Sequence, residues 1–479
     1  MRARIFAEAN RKWWTLAALS FALFMIMLDN TIVNVALPSI QRDLRIGVSE
    51  LEWVVTGYAL SFAVLMLSGG KLADMFGRRR VFLLGLAVFA VSSLFCGLAG
   101  SAGLLIGARV VQGAGAALMM PATLSIISAT FPPRERGAAL GTWAGVSAVA
   151  LAIGPLVGGL ITEHISWHWI FYVNVPVGAL AIVATLIIVP ESRDTSHEQR
   201  LDLPGLLVSG AGLFALVFAL IEANHYGWGS ATVLALFAVA AVSLAAFVLL
   251  ELHQRLPMMD LALFRQGTFA GANIVALLVS LAMFGVFFFV SLYMQNVLGY
   301  SAVKAGATFL PMTVLIILVA PIAGKTSDRI GSRWLMATGM SLTGVSLLLY
   351  AQLDSGSNFW NLLPAMLSGG VGMAMSMSPM TAAALSAVPV DKAGVGSGIL
   401  NTFRQVGGAL GIAIMGAILA DRSATALAGG ATRQEAFMAG FTRSLYVAAA
   451  IAFAAALIAA ALVRTHHPAR EPAEEAAVA

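Results

Sequence analysis

Charge is scarce in this chain: Asp, Glu, Lys and Arg make up 11% of its 479 residues. A soluble globular domain carries about 25%, so a surface wetted all round is excluded. The net charge of +5 is no nucleic-acid footprint; where the cations lie matters more than their sum. Cysteine is nearly absent, and the single Cys96 rules out an intrachain disulfide. No polar stretch is long enough to bury a core of its own, so no soluble domain is expected. No Walker loop, zinc-ligand spacing or nucleophile elbow occurs in a fitting context. Neither metal, cofactor nor catalysis is therefore expected.

Apolar runs are what the chain has in abundance, with 59% hydrophobic residues. A span needs about 20 apolar residues to cross a hydrocarbon core about 30 Å thick. Fourteen candidates fall near 14–38, 50–70, 81–99, 103–125, 138–162, 170–190, 204–222, 231–250, 269–295, 304–325, 334–353, 359–384, 395–420 and 441–463. The first, between Trp13 and Pro38, is too long for a signal-peptide core, contains Asp29 and lacks a small-residue cleavage site. An even number of spans leaves both termini on one side. Lys and Arg outnumber those of the opposite segments there by roughly three to one, which predicts cytoplasmic termini.

One short loop is written twice, and this duplication organises the chain. Gly70, Lys71, Asp74, Gly77 and Arg78–Arg80 stand in the first copy. Gly324, Lys325, Asp328, Arg329, Gly331 and Arg333 stand in the second. Duplicated helical bundles are a common plan of secondary transporters. The predicted fold is therefore an all-α integral membrane protein. Residues 1–190 form an N-terminal six-helix bundle, and 191–268 hold cytoplasmic linkers with two extra spans. Residues 269–463 form a C-terminal six-helix bundle, and 464–479 a disordered cytoplasmic tail.

Ionisable side chains inside the apolar runs are the strongest site signal, since a charge near a helix centre costs on the order of 3 kcal/mol. Asp29 in span one and Arg109 in span four fall at similar depth, roughly 10–13 Å below the outer surface at 1.5 Å per residue. Gln112 and Gly113 share the face of Arg109. Protonation of Asp29 releases such a pair, so it reads as a proton-coupling device beside a central cavity. A permanent ion pair that only fixes helix packing is the alternative. Arg404 in span thirteen reads as structural or gating, and Glu222 as an interfacial residue. Gly145, Gly154, Pro155, Gly158 and Gly159 form a small-residue face, ordered as a lone glycine, a Gly-Pro pair and a glycine pair. Gly407, Gly408 and Gly411 are a looser analogue. Met373, Met377 and Met380 fit helix packing or adaptable binding, and Trp13, Trp14, Trp167, Trp169, Trp228 and Trp334 fit interfacial anchoring.

Four segments resemble the major facilitator superfamily, specifically its fourteen-span drug:proton antiporters. Leu28–Pro38, with Asp29 and Asn34, is similar to that family's span-one signature. Gly70–Arg80 resembles the superfamily's cytoplasmic gating loop, although Met75 stands where a basic residue is usual. Arg329 keeps that residue in the second copy. Arg109–Gly115 resembles the span-four motif whose arginine is linked to proton transfer. Gly145 with Gly154–Gly159 resembles the antiporter motif that marks exporters. The resemblance implies a major facilitator fold of fourteen helices and proton-coupled efflux of drug-like or other amphipathic small molecules by alternating access. Asp29, Asn34, Arg109 and Gln112 become the coupling and cavity residues. The two loops become gates, and the glycine-proline face a sliding contact. The partners implied are such a substrate, protons and the lipid bilayer, with a monomer expected. Spans nine to fourteen hold no embedded carboxylate, which favours neutral or singly charged compounds over multivalent cations. A dedicated exporter of one metabolite or lipid stays open, as does, less favoured, a proton-coupled uptake symporter.

Overall fold

The computed structural model describes residues 8–193, 201–254, 257–388 and 393–464. The expected disordered tail beyond 464, and most of the charged linker from Asp194 to Arg200, lie outside the described residues. Fourteen helices of 15 residues or more occur among them, and no strand does. They are α1 (Glu8–Leu44), α2 (Val48–Phe76), α3 (Arg78–Gly97), α4 (Ala102–Thr130), α5 (Pro133–His164), α6 (Asn174–Ile188) and α7 (Leu203–Tyr226). They continue with α8 (Ala231–His253), α9 (Gly267–Leu292), α10 (Leu310–Ile330), α11 (Ser332–Tyr350), α12 (Phe359–Ser386), α13 (Ala393–Ala428) and α14 (Arg433–Leu462). Short helices at Trp169–Tyr172 and Ala302–Thr308 lead into α6 and α10.

Eleven helical segments among the described residues are long and apolar enough to cross a membrane by length and composition. Their outward faces agree. Leu180, Val242 and Leu457 are 60%, 69% and 72% exposed, and apolar exposure repeated on that scale requires lipid rather than water. Helix ends fall where local chemistry satisfies the free backbone groups. Asp202 accepts the Gly205 N–H at 2.8 Å at the start of α7, and Thr432 with Glu435 forms a capping box before α14. Gly77 and Gly331 join α2 to α3 and α10 to α11 with φ of +108° and +86°, a region that side chains with a Cβ rarely adopt.

Helix pairings repeat eight places on. α2 packs on α4, α3 on α4, α1 on α5 and α3 on α6. In the same way α10 packs on α12, α11 on α12, α9 on α13 and α11 on α14. α7 and α8 pair with each other, and α7 lies over both α2 and α13. The turns at Gly77 and Gly331 carry Arg78–Arg80 and Arg333, so this is the basic end of the helices. Contacts between α1–α6 and the later helices occur at both ends: Leu67 lies against Gly398 towards the basic end, and others join the opposite, far end. There Gln295 Nε2 donates to the Val35 carbonyl at 2.9 Å, and the Val303 N–H donates to Glu163 at 2.8 Å.

Candidate functional site

Asp29, on α1, meets Arg109 and Gln112, which stand one turn apart on α4. Arg109 Nη1 donates to Asp29 Oδ2 at 2.5 Å, and Gln112 Nε2 donates to Asp29 Oδ1 at 3.0 Å. The same Arg109 nitrogen donates to Gln112 Oε1 at 2.8 Å, so the amide bridges cation and anion. Asn174, at the start of α6, adds a third donor to Asp29 Oδ1 at 3.1 Å and a further bond to Ser93 Oγ on α3 at 3.0 Å. Arg109 Nε donates to the Val54 carbonyl, and its guanidinium lies 4.2 Å from the centroid of the Tyr58 ring. Asp29 and Arg109 are each 1% exposed. Removing one member of such a buried pair costs about 3–5 kcal/mol, because the other charge is left without a partner in a low-dielectric interior.

The depth argument thus brings Asp29, Arg109 and Gln112 together, but not onto an open cavity. The carboxylate is enclosed by α1, α3, α4 and α6. Asn34 is not part of the cluster: its amide donates to the Asn30 carbonyl at 3.2 Å and its Oδ1 is buried without a partner. Asn174 and Ser93 were not singled out from the sequence, although an asparagine in the apolar run Val173–Val177 is itself a usable signal.

The glycine-proline face divides in two. Gly154 and Gly158 press on Thr31 and Ile32 of α1, close to Asp29. Gly159 and the Pro155 carbonyl meet Ala302 and Gly306 in the short helix before α10. Gly145 meets nothing among the described residues: a Cβ built there has open space for 4 Å. Gly407 and Gly411 of α13 press on Leu277 and Leu281 of α9, the counterpart of the α5–α1 contact.

At the first loop Arg78 Nε binds Asp74 at 2.8 Å, and its backbone N–H donates to the Ser192 carbonyl. Glu191 caps the Arg79 N–H at 3.0 Å and lies against Gly77. Gly70 packs on Pro121 at ordinary distance. Lys71 donates to the Pro257 carbonyl at 3.0 Å. In the second loop Gly324 lies against Ser378, and Ser327 and Ser332 share a hydrogen bond of 2.7 Å. Arg329 is exposed, Arg333 stacks on Trp334 at 5.0 Å, and the Asp328 side chain lies outside what is described.

Three further residues depart from expectation. Trp167 is no interfacial anchor; it is 4% exposed and donates to Asp43 at 2.8 Å. Glu222 is more than an interfacial residue, since it accepts from Ser49 Oγ at 2.8 Å and from the Trp53 indole at 3.2 Å. Beside it Glu52, 3% exposed, is wedged against Gly416 where α2 meets α13. Sequence reading passed over Glu52 because it stands one turn inside a helix end, where carboxylates are ordinarily solvated.

An embedded carboxylate held by an arginine, in a helical fold that repeats itself, is matched by the sequence profile of the Major Facilitator Superfamily, which covers residues 19–412. The chain belongs to that superfamily. This major facilitator protein is 38% identical over 415 residues to the tetracenomycin C resistance and export protein of Streptomyces glaucescens, covering 86% of this chain and 77% of that one. It is 37% identical over 457 residues to the puromycin resistance protein pur8 of Streptomyces alboniger, covering 94% and 90%. The multidrug resistance protein Stp of Mycobacterium tuberculosis is 39% identical over 407 residues, covering 85% and 75%. Among solved structures the fold is similar to a bacterial homologue of the human lysosomal transporter Spinster, with a TM-score of 0.65, 17% identity, and 95% and 96% of the two chains covered. It is also similar to the POT family transporter PepTSo, with a TM-score of 0.68, 14% identity, and 94% and 97% covered.

Proposed function

We propose that this protein exports drug-like or other amphipathic small molecules across the cytoplasmic membrane in exchange for protons. The observation that carries the reading is the enclosed cluster of Asp29, Arg109, Gln112 and Asn174 in a transporter whose relatives are named for drug resistance and export. Protonation of Asp29 cancels its charge, frees Arg109 and loosens α1 from α4. Loss of that proton rebuilds three hydrogen bonds. The chain crosses the membrane fourteen times as a monomer, with both termini and the basic end in the cytoplasm. Residues 1–190 and 269–463 rock about the substrate, while 191–268 link them through α7 and α8. Gly154 and Gly158 keep α5 against α1, so movement of α1 is passed to the α5–α10 seam. The first loop holds the basic end in register through Asp74, Arg78 and Glu191. The protein acts as a carrier and makes no chemical change to its cargo.

Transport of a fluorescent drug into inverted membrane vesicles, energised by a proton gradient, tests this. Asp29→Asn is expected to abolish uptake at normal membrane abundance. Retained proton-driven uptake removes Asp29 from the mechanism. The name of the tetracenomycin relative, which specifies one compound, favours a second reading as a dedicated exporter. Resistance profiling against a broad panel separates the two.

A further inference from the structure

A second pair of acids lies where the two linking helices reach the basic end. Asp202 caps the first turn of α7, and Glu251 stands in the last turn of α8. They are 5% and 3% exposed. One oxygen of each is committed. Asp202 Oδ1 accepts the Gly205 N–H at 2.8 Å and Gln254 Nε2 at 3.0 Å. Glu251 Oε2 accepts the Met259 N–H at 2.7 Å. The remaining oxygens, Asp202 Oδ2 and Glu251 Oε1, are buried without a donor.

Those two bare oxygens converge on one point. A Cβ built on Gly205 falls 3.0 Å from Glu251 Oε1 and closer still to Asp202 Oδ2, so a glycine there leaves room for both. The two carboxyl groups are within hydrogen-bonding reach of each other. Two acids placed side by side out of water cannot both ionise, and facing oxygens repel unless a proton lies between them. The charges agree. Among the described residues Lys71 of the first loop is the cation that faces both acids, and its Nζ donates to the Pro257 carbonyl at 3.0 Å. One ammonium against two carboxyl groups leaves room for a single further positive charge. The other titratable groups nearby are turned to different partners: exposed His253 bonds the Leu249 carbonyl, and Asp260 caps Ala262.

We propose that Asp202 and Glu251 hold one proton between them, a proton site that clasps α7, α8 and the first loop together at the basic end. While the proton is held, one carboxyl group donates its O–H to the ionised oxygen of the other. Its loss leaves two facing carboxylates, which drive the end of α8 away from the start of α7. The retreat of α8 pulls on Met259, and through the same connection on Pro257 and Lys71, so the first loop feels the titration. This gives the two linking helices a task separate from that of Asp29. The site goes beyond the export reading; only the identity of the compartment it senses, the cytoplasm, rests on that reading.

Infrared difference spectroscopy on the purified full-length protein tests this, with the wild type compared against Glu251→Gln and against Asp202→Asn. At neutral pH both differences are expected to contain the carbonyl band of one protonated carboxylic acid, which shifts in heavy water and vanishes at alkaline pH. Because the proton belongs to the pair, removing either acid removes the same band. A difference without that band, for either variant, overturns the proposal. Thermal midpoints carry the test where a variant does not fold. The folded chain holds a proton that the unfolded chain releases at neutral pH, so stability falls as pH rises, by at most about tenfold in the unfolding equilibrium per pH unit. A wild-type midpoint that stays level from mildly acidic to alkaline pH overturns the proposal, as does an equally steep fall in Glu251→Gln. Failure here leaves the vesicle assay of Asp29→Asn untouched, so the two readings fail separately.

Discussion

Gly158→Ala probes how tightly the α5–α1 contact is bound to the Asp29 cluster. A Cβ at position 158 falls 2.7 Å from the Ile32 carbonyl oxygen and 2.9 Å from Ile32 Cγ1. Real Cβ contacts essentially never fall below 3.0 Å, so α1 must retreat by several tenths of an ångström. Backbone cannot swing aside as a flexible side chain does, and overpacking of this kind costs about 1–3 kcal/mol. Ile32 stands three residues from Asp29 on the same helix, so the retreat also stretches the 2.5 Å bond to Arg109. A loss of about 1.4 kcal/mol there is a tenfold change in an equilibrium constant. We expect purified Gly158→Ala to unfold a few degrees lower in scanning fluorimetry, and its export rate to fall about tenfold. Gly145→Ala is the contrast: with open space around the new methyl group, its stability should change by less than about 0.5 kcal/mol. Equal damage from both substitutions, or an unaltered Gly158→Ala, refutes the packing argument.

Asn174→Ala removes donors to Asp29 and to Ser93 and should cost about 1.5–3 kcal/mol of stability, read from the thermal midpoint. Glu52→Gln keeps the shape of a side chain that faces Glu222 without a hydrogen bond of its own. It should leave stability equal or higher, read from the thermal midpoint; a steep fall in folded yield contradicts this. Gly77→Ala forces a side chain into φ of +108° and against the Glu191 carboxylate, a strain of about 1–3 kcal/mol. Lower membrane abundance of this variant, measured by quantitative blotting, is the expected outcome. Gly331→Ala should act in the same direction through its own positive φ.

Sequence alone exposed the pairing of Asp29 with Arg109, because a charge in an apolar run is conspicuous and helical rise converts position into depth. It also marked the loop written twice, which carries both turn glycines, Gly77 and Gly331. The Gly145-to-Gly159 spacing was equally visible, yet its members differ: Gly154 and Gly158 touch α1, Gly159 touches the helix before α10, and Gly145 touches nothing. Spacing fixes which residues share a helix face; it says nothing about how near the facing helix comes.

The same limit explains what only the tertiary structure decided. Asn174 and Ser93 reach Asp29 from helices far along the chain, and no periodicity within α1 could announce them. The burial of Asp29 behind four helices and the wedge of Glu52 against Gly416 are likewise products of helix packing. Hydropathy and local geometry are properties of a segment and can be read from it. Whether a polar atom finds a partner depends on the distance between segments, and that is set only when the helices close on one another.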